Sequence, residues 1–241
     1  MNVSQTVRNT VDNMSEGRVF GYSELPGYGD APTAVIKAVS RLVADKRLQR
    51  LAKGRFYVAK KGVLGARKPS DNELIRSVTY KDGRIRGYVT GPSLYNALGL
   101  TTQLPRTVTV AYNGPRLAKD FGTIKLKTVE ARAPITEDNR VLLQYLDVLK
   151  NIKKIPDSDL DTSLRVMKRK IEKLSSSEQA QLASLAERYY GPQARALLGM
   201  LYTDLKLEIP DSLVLSLNPI TVYKLGIDEN KWPNARKWNI Q

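Results

Sequence analysis

The chain has 241 residues, with 39 Lys and Arg against 24 Asp and Glu. Its net charge of +15 and pI near 9.9 point to a polyanionic partner. It contains no Cys and no His, which excludes a disulfide framework, a thiolate nucleophile, a metal site built on either residue and a Ser-His-Asp triad. No apolar stretch approaches the roughly 20 residues of a membrane span, and the first residues lack the apolar core of a signal peptide. Composition therefore predicts a soluble, cytoplasmic protein without a membrane partner.

In chain order, Val3, Val7, Val11 and Met14 form one apolar stripe of a first helix that Gly17 ends. Residues 20–25 predict a single short turn, capped by Ser23 and cut off by Pro26 and Gly27. Asp30 predicts the N-cap of a second helix with Pro32 in its first turn. Val35, Ile36, Val39, Leu42 and Val43 make its apolar face, while Thr33, Lys37, Ser40, Arg41 and Ala44 make a small polar one. Residues 48–51 and 55–58 predict two short strands, joined through Ala52-Lys53-Gly54, where Gly54 can take a positive φ. The stretch 60–69 has linker character, and a domain boundary is expected near 69.

Charge is concentrated on these elements. From Lys37 to Lys68 there are eleven basic residues and one acid, Asp45. Residues 1–68 carry 13 basic and five acidic residues, a net +8, so the basicity belongs to the N-terminal third. A helix followed by a basic hairpin is what a winged helix-turn-helix uses on duplex DNA, with the helix in the major groove and the wing along the phosphates. The expected DNA-binding residues are Thr33, Lys37, Ser40 and Arg41 on the helix, then Lys46, Arg47, Arg50, Lys53 and Arg55 around the hairpin.

The remainder predicts a mixed α/β segment to about residue 135, mainly helical after it. Ser70-x-x-Glu73 reads as a capping box for a helix reaching about Tyr80. Strands are expected over 86–90, 107–112 and 123–132, with a short helix over 91–98 closed by Gly99. Val141, Leu142, Tyr145, Leu146, Leu149 and Ile152 define one later helix, and Leu160, Leu164, Met167, Ile171 and Leu174 another. Ser175-x-x-Glu178 caps a third, Pro192 starts a fourth, and Trp232 and Trp238 in the tail are expected to dock on the core. The fold class is thus α+β: a winged helix over 1–68, then a mixed α/β domain over 69–241 with a helical C-terminal part.

Asp211 with Glu229-x-Lys231 matches a nuclease-like pattern in which two carboxylates hold Mg²⁺ and a lysine assists. The segment 226–233 reads as a loop, so no metal or other cofactor is expected. A metal-dependent nuclease is the alternative from the enzyme class.

Residues 42–57, from Leu42-Val43-Ala44-Asp45-Lys46-Arg47 into Lys53-Gly54-Arg55-Phe56-Tyr57, resemble the end of the winged helix in AbiEi-type antitoxins and the related DUF6088 regulators. Residues 88–105, with Thr90-Gly91-Pro92-Ser93 and Ala97-Leu98-Gly99-Leu100, are a second such block. The resemblance covers roughly 1–135. It implies a transcriptional autorepressor that binds promoter inverted repeats. It also implies an antitoxin that counters a nucleotidyltransferase toxin without a stable complex and has no enzymatic activity of its own. It assigns no residue to the antitoxin function. A winged-helix regulator with no toxin partner is the further alternative.

Overall fold

Val7 and Val11 lie one turn apart on the first helix, and their burial fixes which side of it faces inward. The structure, a computed structural model, describes residues 2–62 and 65–241. It divides into two compact units, Met1–Arg84 and Ile85–Gln241. Among the described residues, no helix is long and apolar enough to cross a membrane.

The first unit opens with α1 (Val3–Asp12), whose N-terminal amides are capped by the Asn2 side chain. β1 (Val19–Gly21) and a 3-10 turn (Tyr22–Glu24) follow, then α2 (Pro32–Ala44). Next come β2 (Leu48–Ala52), β3 (Arg55–Val58), β4 (Lys60–Gly62), β5 (Gly65–Arg67) and α3 (Asp71–Thr79). β1 and β2 both pair antiparallel with β3, giving a three-stranded sheet of order β1-β3-β2. Phe20 of β1 and Phe56 of β3 meet α1 and α2 in one core with Val7, Val11, Val39 and Leu48.

Several details differ from the sequence expectation. Phe20 belongs to a strand, and the turn after it is capped by Glu24, whose carboxylate accepts from the Gly21 amide at 2.9 Å, not by Ser23. The N-cap of α2 is Ala31, with no side-chain cap; Asp30 sits one residue too early. Ile36, assigned to the buried face, is 38% exposed, and Ala38 is buried in its place. The stretch expected as linker contains the β4–β5 hairpin, with Val63 and Leu64 of that stretch outside the described residues.

The break between the units falls at Arg84, not near 69, for a visible reason. Ser70 caps α3 by accepting from the Glu73 amide, but the Glu73 side chain does not close the box. One of its oxygens instead accepts from the Val19 amide at 2.8 Å, and Arg76 holds both its oxygens. These bonds join α3 to the edge strand β1, so residues 71–79 fold with the first unit. That paired carboxylate also raises the pKa of the Arg76 guanidinium.

A two-residue hairpin, β6 (Tyr80–Lys81) with β7 (Arg84–Ile85), leads into the second unit. There β8 (Gly87–Thr90), α4 (Pro92–Ala97), β9 (Thr107–Tyr112), β10 (Ala118–Asp120) and β11 (Lys125–Glu130) form a sheet of order β10-β11-β9-β8. β9 and β11 are parallel and the other pairs antiparallel. β10 was not expected from the sequence. Gly87 has no room for a side chain, because an added Cβ would lie 2.8 Å from the Ala111 carbonyl oxygen.

The helical part is α5 (Arg140–Asn151), α6 (Leu160–Glu172), α7 (Ser176–Tyr189), α8 (Pro192–Leu205) and α9 (Asp211–Leu215). A 3-10 helix over Pro233–Trp238 docks on α8. Ser175 and Glu178 form the full capping box expected of them. Leu142, Leu146 and Leu149 of α5 share a core with Leu164, Met167 and Ile171 of α6 and with Leu197 and Leu201 of α8. Trp232 and Trp238 are buried in that core, as their isolation in the tail suggested.

Candidate nucleic-acid interface

Burial on α2 decides which side can meet a partner. Val35, Val39 and Leu42 are at most 2% exposed, and burying each contributes about 1.5–3 kcal/mol, far more than any surface pair. The opposite side is therefore held outward. Thr33, Lys37, Ser40, Arg41 and Ala44 are all exposed along it, and Ile36 adds an apolar edge. Ser40 donates its hydroxyl to the Ile36 carbonyl at 2.9 Å, which leaves its lone pairs outward as acceptors.

The end of α2 positions the first hairpin cations. The Lys46 amide donates to Val43 O and the Arg47 amide to Leu42 O, a Schellman closure. Lys46 occupies its left-handed position, at φ 58°, where glycine is usual. Lys46→Gly is expected to stabilise the first unit by about 0.5–1 kcal/mol in urea titrations. A stability loss would show that the ammonium makes a contact worth more than the backbone strain.

The hairpin cations fall into two groups. Arg50 and Lys53 are exposed, with Lys53 next to Gly54 at φ 68° in the turn. Arg47 and Arg55 have carboxylate partners within the unit. Arg47 pairs with Asp12 at the end of α1, and Arg55 with Glu24 at 3.3 Å on a side chain only 26% exposed. These two bonds tie the hairpin to α1 and to the 3-10 turn. Pairing is already a full use for Arg55, whereas Arg50 and Lys53 have no ion pair among the described residues.

Sequence reasoning missed a second basic region of this unit. Arg18, Arg67, Lys68 and Arg76 line an open cleft of about 590 Å³ with Ser70 and Glu73. Arg67 and Lys68 were assigned to a linker, and nothing in their spacing indicates the hairpin that presents them.

In the second unit, the most polar feature centres on Asp147 of α5, 7% exposed. Thr90, Tyr190 and Tyr88 donate their hydroxyls to its carboxylate at 2.7, 2.9 and 3.2 Å. Burial raises the Asp147 pKa, and the three donors oppose that shift. The same burial raises both tyrosines. A cleft of about 550 Å³ opens beside this network, with Arg132, Lys150 and Glu130 on its walls. Burial lowers the Lys150 pKa, with the Arg132 charge adding to the effect. Carboxylates and cations balance there, and the lone pairs of Asp147 are largely taken, so the arrangement braces α5 against β8 and the C-terminal end of α7. The block at 88–105 supplies two of the donors, and its glycines meet backbone demands, Gly91 at φ 64° and Gly99 at φ 73°.

The nuclease-like residues are engaged separately. Asp211 opens α9, Glu229 pairs with Arg236, and Lys231 lies 3.6 Å from Asp161. Among the described residues, no group of three or more Asp and Glu is placed to hold a metal ion.

Comparison with known proteins gives a family and a fold. The model of the family described as a family of unknown function (DUF6088) matches residues 6–182, well over half of the chain. A crystal structure of the RV2827C protein from Mycobacterium tuberculosis superposes with a TM-score of 0.51 at 10% identity. The match covers 100% of this chain and 91% of that one, and at such identity it concerns fold alone. No curated protein matches the sequence.

Proposed function

We propose that this chain, which belongs to the DUF6088 family of unknown function, is a DNA-binding autorepressor whose first unit acts as a winged helix. The observation that carries this reading is the exposed face of α2, with Thr33, Lys37, Ser40 and Arg41, running directly into a hairpin that presents Arg50 and Lys53. Sheet order β1-β3-β2 beside α1 and α2 supports it, since a winged helix has that order. A short 3-10 turn stands where such a domain usually has a full helix, so Thr33 and Lys37 near the start of α2 would do much of the base reading.

The two groups should separate in binding measurements. Arg50→Ala or Lys53→Ala is expected to weaken specific and random duplexes alike and to lower the salt slope by about 1 each. Lys37→Ala or Arg41→Ala should cost about 1–3 kcal/mol on the preferred sequence and less on random DNA. Arg55→Ala should lower stability, because its partner is Glu24. If the Arg50→Ala, Lys53→Ala double variant binds both duplexes as tightly as wild type, the hairpin is not a wing.

The second role in this proposal is that of an antitoxin countering a nucleotidyltransferase toxin, carried by the second unit without enzymatic activity. The resemblance of residues 42–57 and 88–105 to AbiEi-type antitoxins supports it. Co-expression with a toxin encoded beside the gene tests it. Protection should persist in the Arg50→Ala, Lys53→Ala variant and disappear when the second unit is deleted.

A further inference from the structure

The cleft of about 550 Å³ beside Asp147 has Arg132 and Lys150 on its walls, with Thr109, Ala111 and Val129 along the sheet side. Of the charged residues that line it, Arg132 and Lys150 stand against Asp147 and Glu130, an even count. The register of the sheet changes that count. Val129 lines the cleft, so Lys127, two positions earlier on β11, stands on the same face. Lys127 is paired with Thr109 of β9, and Thr109 in turn with Thr90 of β8, so the three make one row across the sheet. Glu130 shares the register of Leu126 and Thr128, on the opposite face of β11. On the cleft side, three cations against the carboxylate of Asp147 leave 3 − 1 = +2.

These groups are open to a ligand. Arg132, Lys150 and Lys127 have no ion pair among the described residues. The Arg132 guanidinium lies 5.7 Å over the centroid of the Tyr190 ring, which fixes it beside the cleft. Burial and then the Arg132 charge lower the Lys150 pKa, the mark of two neighbouring cations that an anion would relieve. Thr109 lines the cleft, and its hydroxyl makes no hydrogen bond among the described residues. Its oxygen is not one of those sealed from solvent, as the unpartnered hydroxyls of Ser93 and Tyr223 are. Asp147 already accepts from Thr90, Tyr190 and Tyr88, so it stands as a fixed charge behind the cleft.

We infer that this cleft binds a small phosphate monoester, whose phosphoryl oxygens accept from Thr109 Oγ1, Lys150 Nζ and the Arg132 guanidinium, with Lys127 at the rim. The net +2 matches the dianion of a monoester, whereas a carboxylate, a sulfate ester or a backbone phosphodiester brings a single negative charge. A phosphoryl group alone would leave much of the cleft empty, and the remaining space takes an organic body against Ala111 and Val129. The site lies wholly in the second unit and is independent of DNA binding by the first.

Phenyl phosphate is the probe, titrated calorimetrically into the full-length protein at neutral pH and roughly physiological ionic strength. Phenyl sulfate and dimethyl phosphate are the controls. Saturable one-to-one binding is expected, at least about tenfold tighter than for either control. Lys150→Gln should weaken it about tenfold. Thr109→Val should weaken it about fivefold while leaving the thermal midpoint of the free protein unchanged or higher, since the lost hydroxyl has no partner within the chain. Lys237→Gln, the same loss of charge on the exposed 3-10 helix at 233–238, should leave affinity unchanged. The inference is overturned if phenyl phosphate does not saturate, or if phenyl sulfate or dimethyl phosphate binds equally well. It is also overturned if Lys150→Gln or Thr109→Val retains wild-type affinity, or if Lys237→Gln weakens binding as much as Lys150→Gln.

Discussion

Gly199→Ala is expected to destabilise the second unit by about 3–5 kcal/mol. A methyl group at this position of α8 would sit well inside van der Waals contact with the six-membered ring of Trp238. That ring is buried, and its Nε1 donates to Thr203 Oγ1 at 2.9 Å, so it cannot tilt aside without breaking the bond. The cheapest escape is to expel the indole, and losing a buried Trp costs about 3–5 kcal/mol, more than ordinary overpacking. Urea denaturation followed at a probe within the second unit measures the loss. Adding Trp238→Leu to Gly199→Ala should recover part of it by giving the methyl space. A Gly199→Ala protein within 1 kcal/mol of wild type would contradict the docking of the 3-10 helix on α8.

Asp147→Leu is the second large expected effect, at about 3 kcal/mol. The substitution leaves Thr90 and Tyr88 without the acceptor they use, while Tyr190 keeps the Leu143 carbonyl at 3.2 Å. Two unsatisfied hydroxyls at about 1–3 kcal/mol each, moderated by the open cleft alongside, give that figure. Asp147→Asn keeps an acceptor and a similar shape, so it should stay within about 1 kcal/mol at neutral pH. The pH dependence separates the two states of the carboxyl. Its folded pKa is raised above the ordinary 3.8, so the folded protein binds the proton more tightly than the unfolded chain. That contribution is fully present below 3.8 and is lost as pH rises through the folded value. Wild-type stability should therefore fall across this window relative to Asp147→Asn, which lacks the slope. Parallel profiles would contradict a carboxyl titrating in the folded network.

Most of the elements were legible because their signals are local. The alternation of 107–112 and the Leu and Met spacing of 160–171 decide strand and helix from side-chain period alone, and both elements occur where expected. Short elements were less legible. β10 has only three residues and is defined by its pairing with β11, which no window of sequence contains. The unit boundary was hidden for the same reason. Glu73 looked like half of a capping box, and only the fold brings the Val19 amide, 54 positions earlier, within its reach. The candidate interface was legible in its helix, since Lys37 and Arg41 follow from the 3.6-residue period. It was less so in its hairpin, where Arg47, Arg50, Lys53 and Arg55 look equivalent until Asp12 and Glu24 are seen to engage two of them. The network around Asp147 could not be read at all, because Tyr88 and Thr90 of β8 and Tyr190 at the end of α7 converge on it from positions far apart in the sequence.

DNA binding by the first unit is tested most directly by fluorescence anisotropy of a labelled duplex. Duplexes from immediately upstream of the gene and of random sequence are compared over a series of salt concentrations. The upstream duplex is expected to bind at least about 10³-fold tighter than the random one, and both affinities should fall steeply with salt as phosphate counterions are released. Equal affinity for the two duplexes, or binding that ignores salt, would contradict an autorepressor built on α2 and its hairpin.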